Sequence, residues 1–178
     1  PAVDEVVACA ADSGRGLTPA LRLLRLGLLD EAGEGLGAVL REPAHGGDRA
    51  GLRLSAFLYD RAKAYSPSHH TLRRKVPDFA YAYPGKNGER WWRVAYPDAY
   101  QDLTAKQGKI HGIPWSLAQG VMREESGFNP VVESYAHAWG LMQLLQKTAT
   151  WVEGSHVSRR KLKDPETNIS LGVRYLKY

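Results

Sequence analysis

The sequence predicts an all-α protein, and three observations carry that expectation. Apolar residues recur at three- and four-residue offsets over several stretches, strand-like alternation is scarce, and Gly, Pro and Asp stand where helices would start and stop. The chain of 178 residues can bury one medium core or two small ones. Its hydrophobic fraction of 43% and charged fraction of 24% are ordinary for a globular protein. No apolar run approaches the roughly 20 residues that a membrane helix needs.

The opening "PAVDEVVACAADSGRG" has no Met, no basic n-region and no apolar h-region, so it reads as the interior of a longer precursor or a processed product, with any export signal upstream. Cys9 is the only cysteine, which excludes an intramolecular disulfide and a Cys-based metal site. Among alanines it reads as a small core residue. Residues 17–40 predict a helical hairpin, with Leu17, Leu21, Leu24 and Leu28 at helical spacing, Gly27 as a break and Asp30 as the next N-cap. A turn cluster, "EPAHGGD", follows at 42–48. "RAGLRLSAFLYDRAKAY" then predicts a third amphipathic helix carrying Leu54, Phe57, Leu58 and Arg61 at helical offsets. Helix pairs of this kind stack into superhelices.

The next stretch, "SPSHHTLRRKVPDFAYAYPGKNGERWW", shows no sustained periodicity, and a domain junction is expected near residues 84–95. This gives a helical region at 1–92 and a second domain at 93–178, with Trp91 and Trp92 packing at the junction. His69 and His70 have no Cys or carboxylate at ligand spacing, so neither a zinc site nor any other metal site is expected. No glycine-rich phosphate loop and no Gly-x-Ser-x-Gly elbow is present. The net charge of +5 suits a polyanionic partner, whether nucleic acid, anionic envelope or cell wall. The short cluster "LRRK" at 72–75 reads as a solvated face, not a phosphate track.

The segment "GIPWSLAQGVMREESGF" has a helix written into it, with Pro114 suited to its first turn and Gly127 to its stop. Leu117, Ala118, Val121 and Met122 make one apolar face, and Glu125 falls near the middle of that stripe. Glu124 lies beyond its edge. A carboxyl buried on such a face, near the negative end of a helix, is disfavoured in its charged form and suited to act as a general acid. The competing reading is a salt-bridged structural glutamate. Downstream, Gly140 permits close approach of a backbone or a substrate, and Gln143 offers an amide to a sugar. "DPETNISLGVRYL" opens with Asp164 as N-cap and Pro165 at the first turn. Its Asn168, Gly172 and Tyr175 share a helix face that reads as a cleft wall.

Taken together, "YPDAY", "REESGFNP", "SYAHAWGLMQ", "TA" and "DPETNISLGVRYL" resemble the catalytic domain of soluble lytic murein transglycosylases of the Slt type, over roughly Ala95 to Tyr178. The helical first half is similar in character to the superhelical region that precedes this domain in those enzymes. The resemblance implies a lysozyme-like α-helical domain with Glu125 as the single acid/base. It implies Ser134, Gln143, Tyr175, Ser126 and Met142 along the sugar cleft. Peptidoglycan glycan strands are the implied partner, with no cofactor, no metal, no nucleic acid and a periplasmic or cell-envelope location. Glu124 stands where the family usually has Gln. His137 replaces a family Gly, "LLQKTA" replaces the usual Leu-Met-Pro-x-Thr-Ala, and the family's Tyr-Asn-Ala-Gly motif lies beyond Tyr178. The domain is therefore expected to be truncated at its C-terminus, and either a second polypeptide segment completes it or it folds with impaired activity. Three other readings compete: a peptidoglycan hydrolase of the same architecture, a non-catalytic wall-binding helical module, and a nucleic-acid binder supported by net charge alone.

Overall fold

A computed structural model of the chain describes residues 18–28, 31, 32, 35, 49–81 and 89–178. The expectations for Cys9, Leu17, Asp30 and the 42–48 turn lie outside those residues. The chain divides into two compact units, Pro1–Pro97 and Asp98–Tyr178. Among the described residues the structure is helical, apart from one pair of two-residue strands, and no helix is long and apolar enough to cross a membrane.

In the first unit, helix α1 (Thr18–Arg25) ends just before Gly27, whose φ of 78° serves as the expected break. Helix α2 (Arg49–Arg61) is the amphipathic segment read from the sequence, and it buries Leu52, Ala56, Phe57 and Leu58. The region expected to be irregular instead forms helix α3 (Tyr65–Lys75), a 3-10 turn (Pro77–Tyr81) and helix α4 (Glu89–Ala95). The physical reason for the difference lies in what α3 buries. Its inward face carries Ser68 and His69 beside Leu72, so apolar periodicity is missing although the face is buried. The Ser68 hydroxyl reaches the Ala56 carbonyl at 2.9 Å on α2 and the Val94 carbonyl at 3.3 Å on α4. His69 donates from Nδ1 to the Ala95 carbonyl at 2.5 Å. Polar side chains thus knit three helices where apolar ones would ordinarily pack. Trp91 and Trp92 pack against this same core, and Trp92 stacks on Tyr96 with ring centroids 5.3 Å apart.

The second unit is built around its last helix. Its elements are α5 (Gln101–His111), α6 (Trp115–Ser126), β1 (Ala138–Trp139), β2 (Leu144–Leu145), α7 (Gln146–Glu153), α8 (Arg159–Leu162) and α9 (Pro165–Tyr175). The strands pair antiparallel, with Ala138 opposite Leu145 and Trp139 opposite Leu144. Helix α9 starts as the sequence indicated, the Asp164 carboxylate accepting from the Thr167 N–H at 2.9 Å and Pro165 filling the first turn. It packs against α5, α6, α7 and α8, burying Ile169, Leu171 and Val173.

Asn168 and Gly172 face this core, which corrects the expectation of a cleft wall. Asn168 is 1% exposed and uses both ends of its amide. Its Nδ2 donates to the carbonyls of Trp139 and Leu162, each at 2.8 Å, and its Oδ1 accepts from the Met142 N–H at 2.8 Å. Gly140, at φ 76°, admits this arrangement, since a Cβ there would run into the Leu162 carbonyl and the Asn168 amide.

Two stability predictions follow from these contacts. Asn168→Ala removes three buried hydrogen bonds and lowers stability by about 3–5 kcal/mol, read as the urea midpoint by tryptophan fluorescence; an unchanged midpoint would refute this role. In the first unit, burial lowers the His70 pKa below its ordinary 6.5, and Arg74 and Arg73 push it the same way. The unfolded chain therefore protonates first as pH falls. The contribution of neutral His70 is complete above 6.5 and is lost as pH falls through that value toward the lower folded pKa. His70→Gln flattens this part of the stability–pH curve, and an identical slope in the variant would count against it.

Candidate active site

The two adjacent acids at the end of α6 have different surroundings. Glu124 is ion-paired with Arg123, Oε1 lying 2.8 Å from Nε. Glu125 is exposed and makes no hydrogen bond or ion pair with any described residue. The expected burial of Glu125 on an apolar stripe is not met, because that stripe divides in two. Ala118 and Met122, both 0% exposed, continue into Ser126 and form the core-facing line. Leu117, Val121 and Glu125 form the neighbouring four-residue row, and Leu117 remains 49% exposed. Glu125 therefore ends a row with apolar neighbours and an open front.

The turn after Glu125 is fixed from two sides. Gly127 and Phe128 are both left-handed, at φ 55° and 64°, and Phe128 is buried. The Ser126 hydroxyl lies 3.0 Å from the Met122 carbonyl and 2.8 Å from the Leu141 carbonyl, which ties the end of α6 to the β1–β2 loop. Ser126, expected along the cleft, thus has its hydroxyl engaged by backbone and positions its neighbour.

The β1–β2 loop gathers several of the other expected residues. Met142 is 5% exposed and packs against Gly172, where an added Cβ would sit 2.9 Å from the Met142 Cβ and Cε. Its side chain packs into the core. Gln143, at φ 47°, directs Nε2 to the Gly140 carbonyl at 2.9 Å, so its donor end shapes the loop. Ser134 is half-buried and accepts the Ala138 N–H at 3.0 Å. Tyr175 is 47% exposed and meets Trp151 edge-on at 6.4 Å, while Tyr178 lies 4.8 Å from the same indole.

Glu133, Glu153 and Asp164 are all engaged elsewhere. Glu133 pairs with His137 at 2.6 Å, Glu153 with Arg174 at 2.6 Å, and Asp164 caps α9. No group of three or more metal-binding side chains is found among the described residues. Sequence reasoning missed three features: the Asn168 node, the exposed Trp151, and the basic run "RRKLK" at 159–163. The first had a signal, an Asn four residues past the Asp164 cap and so turned to the same helix face.

His137 sits at φ 59°, a conformation that suits the glycine expected at this position. Its pairing with Glu133 is exposed and worth little. His137→Gly should raise stability by roughly 0.5–1 kcal/mol by removing left-handed strain, read as a higher urea midpoint; a fall of similar size would show that the ion pair dominates.

Residues 102–178 match the family described as "Transglycosylase SLT domain". The soluble lytic murein transglycosylase of Escherichia coli (strain K12) is 41% identical over 88 residues, which is 47% of this chain and 14% of that protein. Membrane-bound lytic murein transglycosylase C of Haemophilus influenzae (strain PittEE) is 43% identical over 83 residues, 43% of this chain and 23% of that protein. The chain thus spans under a quarter of the length of either relative. The crystal structure of the 70 kDa soluble lytic transglycosylase of Escherichia coli aligns with 89% of this chain and 24% of its own, at 26% identity and a TM-score of 0.65. The same enzyme in complex with bulgecin A aligns at a TM-score of 0.64. Over residues 102–178 the chain is therefore similar to the SLT domain of lytic murein transglycosylases.

Proposed function

We propose that the chain acts on peptidoglycan as a lytic transglycosylase, cleaving the bond between N-acetylmuramic acid and N-acetylglucosamine without water, with Glu125 as its single acid/base. The observation that carries the reading is the free Glu125 carboxyl at the end of α6, beside an acid already paired with Arg123. Glycosidases ordinarily use two carboxylates. Here Glu124, Glu133, Glu153 and Asp164 are each engaged by a basic side chain or a helix cap, which favours a one-acid mechanism.

In that mechanism the Glu125 carboxyl donates its proton to the glycosidic oxygen as the bond to muramoyl C1 breaks. The substrate's own N-acetyl group stabilises the positive charge at C1. The Glu125 carboxylate then takes the proton of the muramoyl C6 hydroxyl as that oxygen bonds to C1, closing a 1,6-anhydro ring. The proton lent to the leaving oxygen is thereby recovered. Ser134, Gln143 and Tyr175 are the proposed sugar contacts, Tyr175 offering an exposed aromatic face. Such a substrate places the activity in the bacterial cell envelope.

The test is mass spectrometry of products from purified sacculi. The chain should release fragments ending in 1,6-anhydromuramic acid, and Glu125→Gln should reduce that release by about 10²–10⁴-fold. Hydrated reducing ends would show a hydrolase instead, and undiminished release by the variant would remove Glu125 from the chemistry.

A further inference from the structure

The second unit carries a concentration of charge that the proposed reaction does not use. Arg159, Arg160, Lys161 and Lys163 fall within five residues, all exposed, and account for much of a net charge of only +5. None makes an ion pair with a described residue. Arg159 and Lys163 lie over the ring of the buried Trp139, at 5.9 and 4.7 Å from its centroid, so cation–π contact holds part of the run against the unit.

Lys161 also lines an open cavity of about 320 Å³ together with Ser155, His156, Thr167 and Ser170. That volume is at the small end of the ~300–1,000 Å³ usual for ligand sites. Two bonds fix its loop wall, the Val157 N–H donating to Thr150 Oγ1 at 3.2 Å and Gln146 Nε2 donating to the Val157 carbonyl at 2.9 Å.

The charges around the cavity indicate what would fit. Three carboxylates border it, and each is engaged: Asp164 by the Thr167 N–H and hydroxyl, Glu153 by Arg174, Glu166 by Lys106 at 3.5 Å. Lys161 is the lining cation with no acid among the described residues, and the Ser155 and Ser170 hydroxyls stand nearby. A ligand that pairs with Lys161 must bring negative charge. With three carboxylates at the border, a doubly charged phosphate meets more repulsion than a singly charged carboxylate, which favours the carboxylate.

We propose that this cavity binds a free carboxylate of the peptide attached to the glycan, with Lys161 as its ion-pair partner and the Ser155 and Ser170 hydroxyls as hydrogen-bond donors. The proposal rests on peptidoglycan being the substrate. It assigns the cavity to the peptide and leaves the sugar to the surface around Glu125.

Isothermal titration of the full chain with the tetrapeptide released from sacculi by an amidase tests it. Lys161→Gln removes the cation, and Ser155→Trp fills the rim while leaving every charge in place. The wild-type chain should bind the peptide saturably, and each variant should bind about tenfold more weakly. Inorganic phosphate should compete poorly. No saturable binding, wild-type affinity in both variants, or phosphate competing as well as peptide would overturn the assignment. Release of 1,6-anhydro ends from peptide-free glycan strands reads the proposed reaction separately. Those ends without peptide binding would overturn the cavity assignment alone, and peptide binding lost in both variants would sustain it even if the ends were missing.

Discussion

The second unit depends on one buried amide. Asn168 makes three hydrogen bonds, and they reach β1 through Trp139, the β1–β2 loop through Met142, and the end of α8 through Leu162. Each partner is a backbone group on a different segment, so one amide ties three segments together. The loop it holds also accepts the Ser126 hydroxyl, through Leu141, and Ser126 directly follows Glu125. The helix end bearing the proposed acid is thus tied to the core through a loop that lacks regular structure of its own.

Much of this was legible in the sequence, for identifiable reasons. Helices α2, α6 and α9 were readable because apolar spacing and terminal residues agree, as with Asp164 and Pro165 ahead of α9 and Gly127 after α6. Helix α3 was not, because the side chains it buries are Ser68 and His69, whose value lies in reaching carbonyls far along the chain. Periodicity records hydrophobicity and is blind to a polar residue with a distant partner. The same limit explains Asn168 and Gly172, which have the composition of a cleft wall and the environment of a core.

At the site, the sequence singled out Glu125 from Glu124 by helical geometry, and the surroundings of the two acids do differ. The basis of the difference is not the expected one. A helical wheel treats Leu117, Ala118, Val121 and Met122 as one face, yet neighbouring helices cover only the Ala118–Met122 line. Which edge of an apolar stripe is covered depends on packing partners that local sequence does not specify. Charge was similarly partial: a net +5 was visible, but which cations lack acids emerged only from the pairing of Glu153 and Glu166 with Arg174 and Lys106.

The isolation of the Glu125 carboxyl has an evolutionary consequence. A side chain that bonds to nothing in the described fold contributes little to holding it, so stability and chemistry are separable at this position. A single substitution of this proposed acid would silence the proposed cleavage while leaving the scaffold, its loop and its basic run intact. Under the proposed function, descendants of such a chain would keep a folded surface for the same polymer, free to be selected for adhesion or for recruiting other enzymes to it.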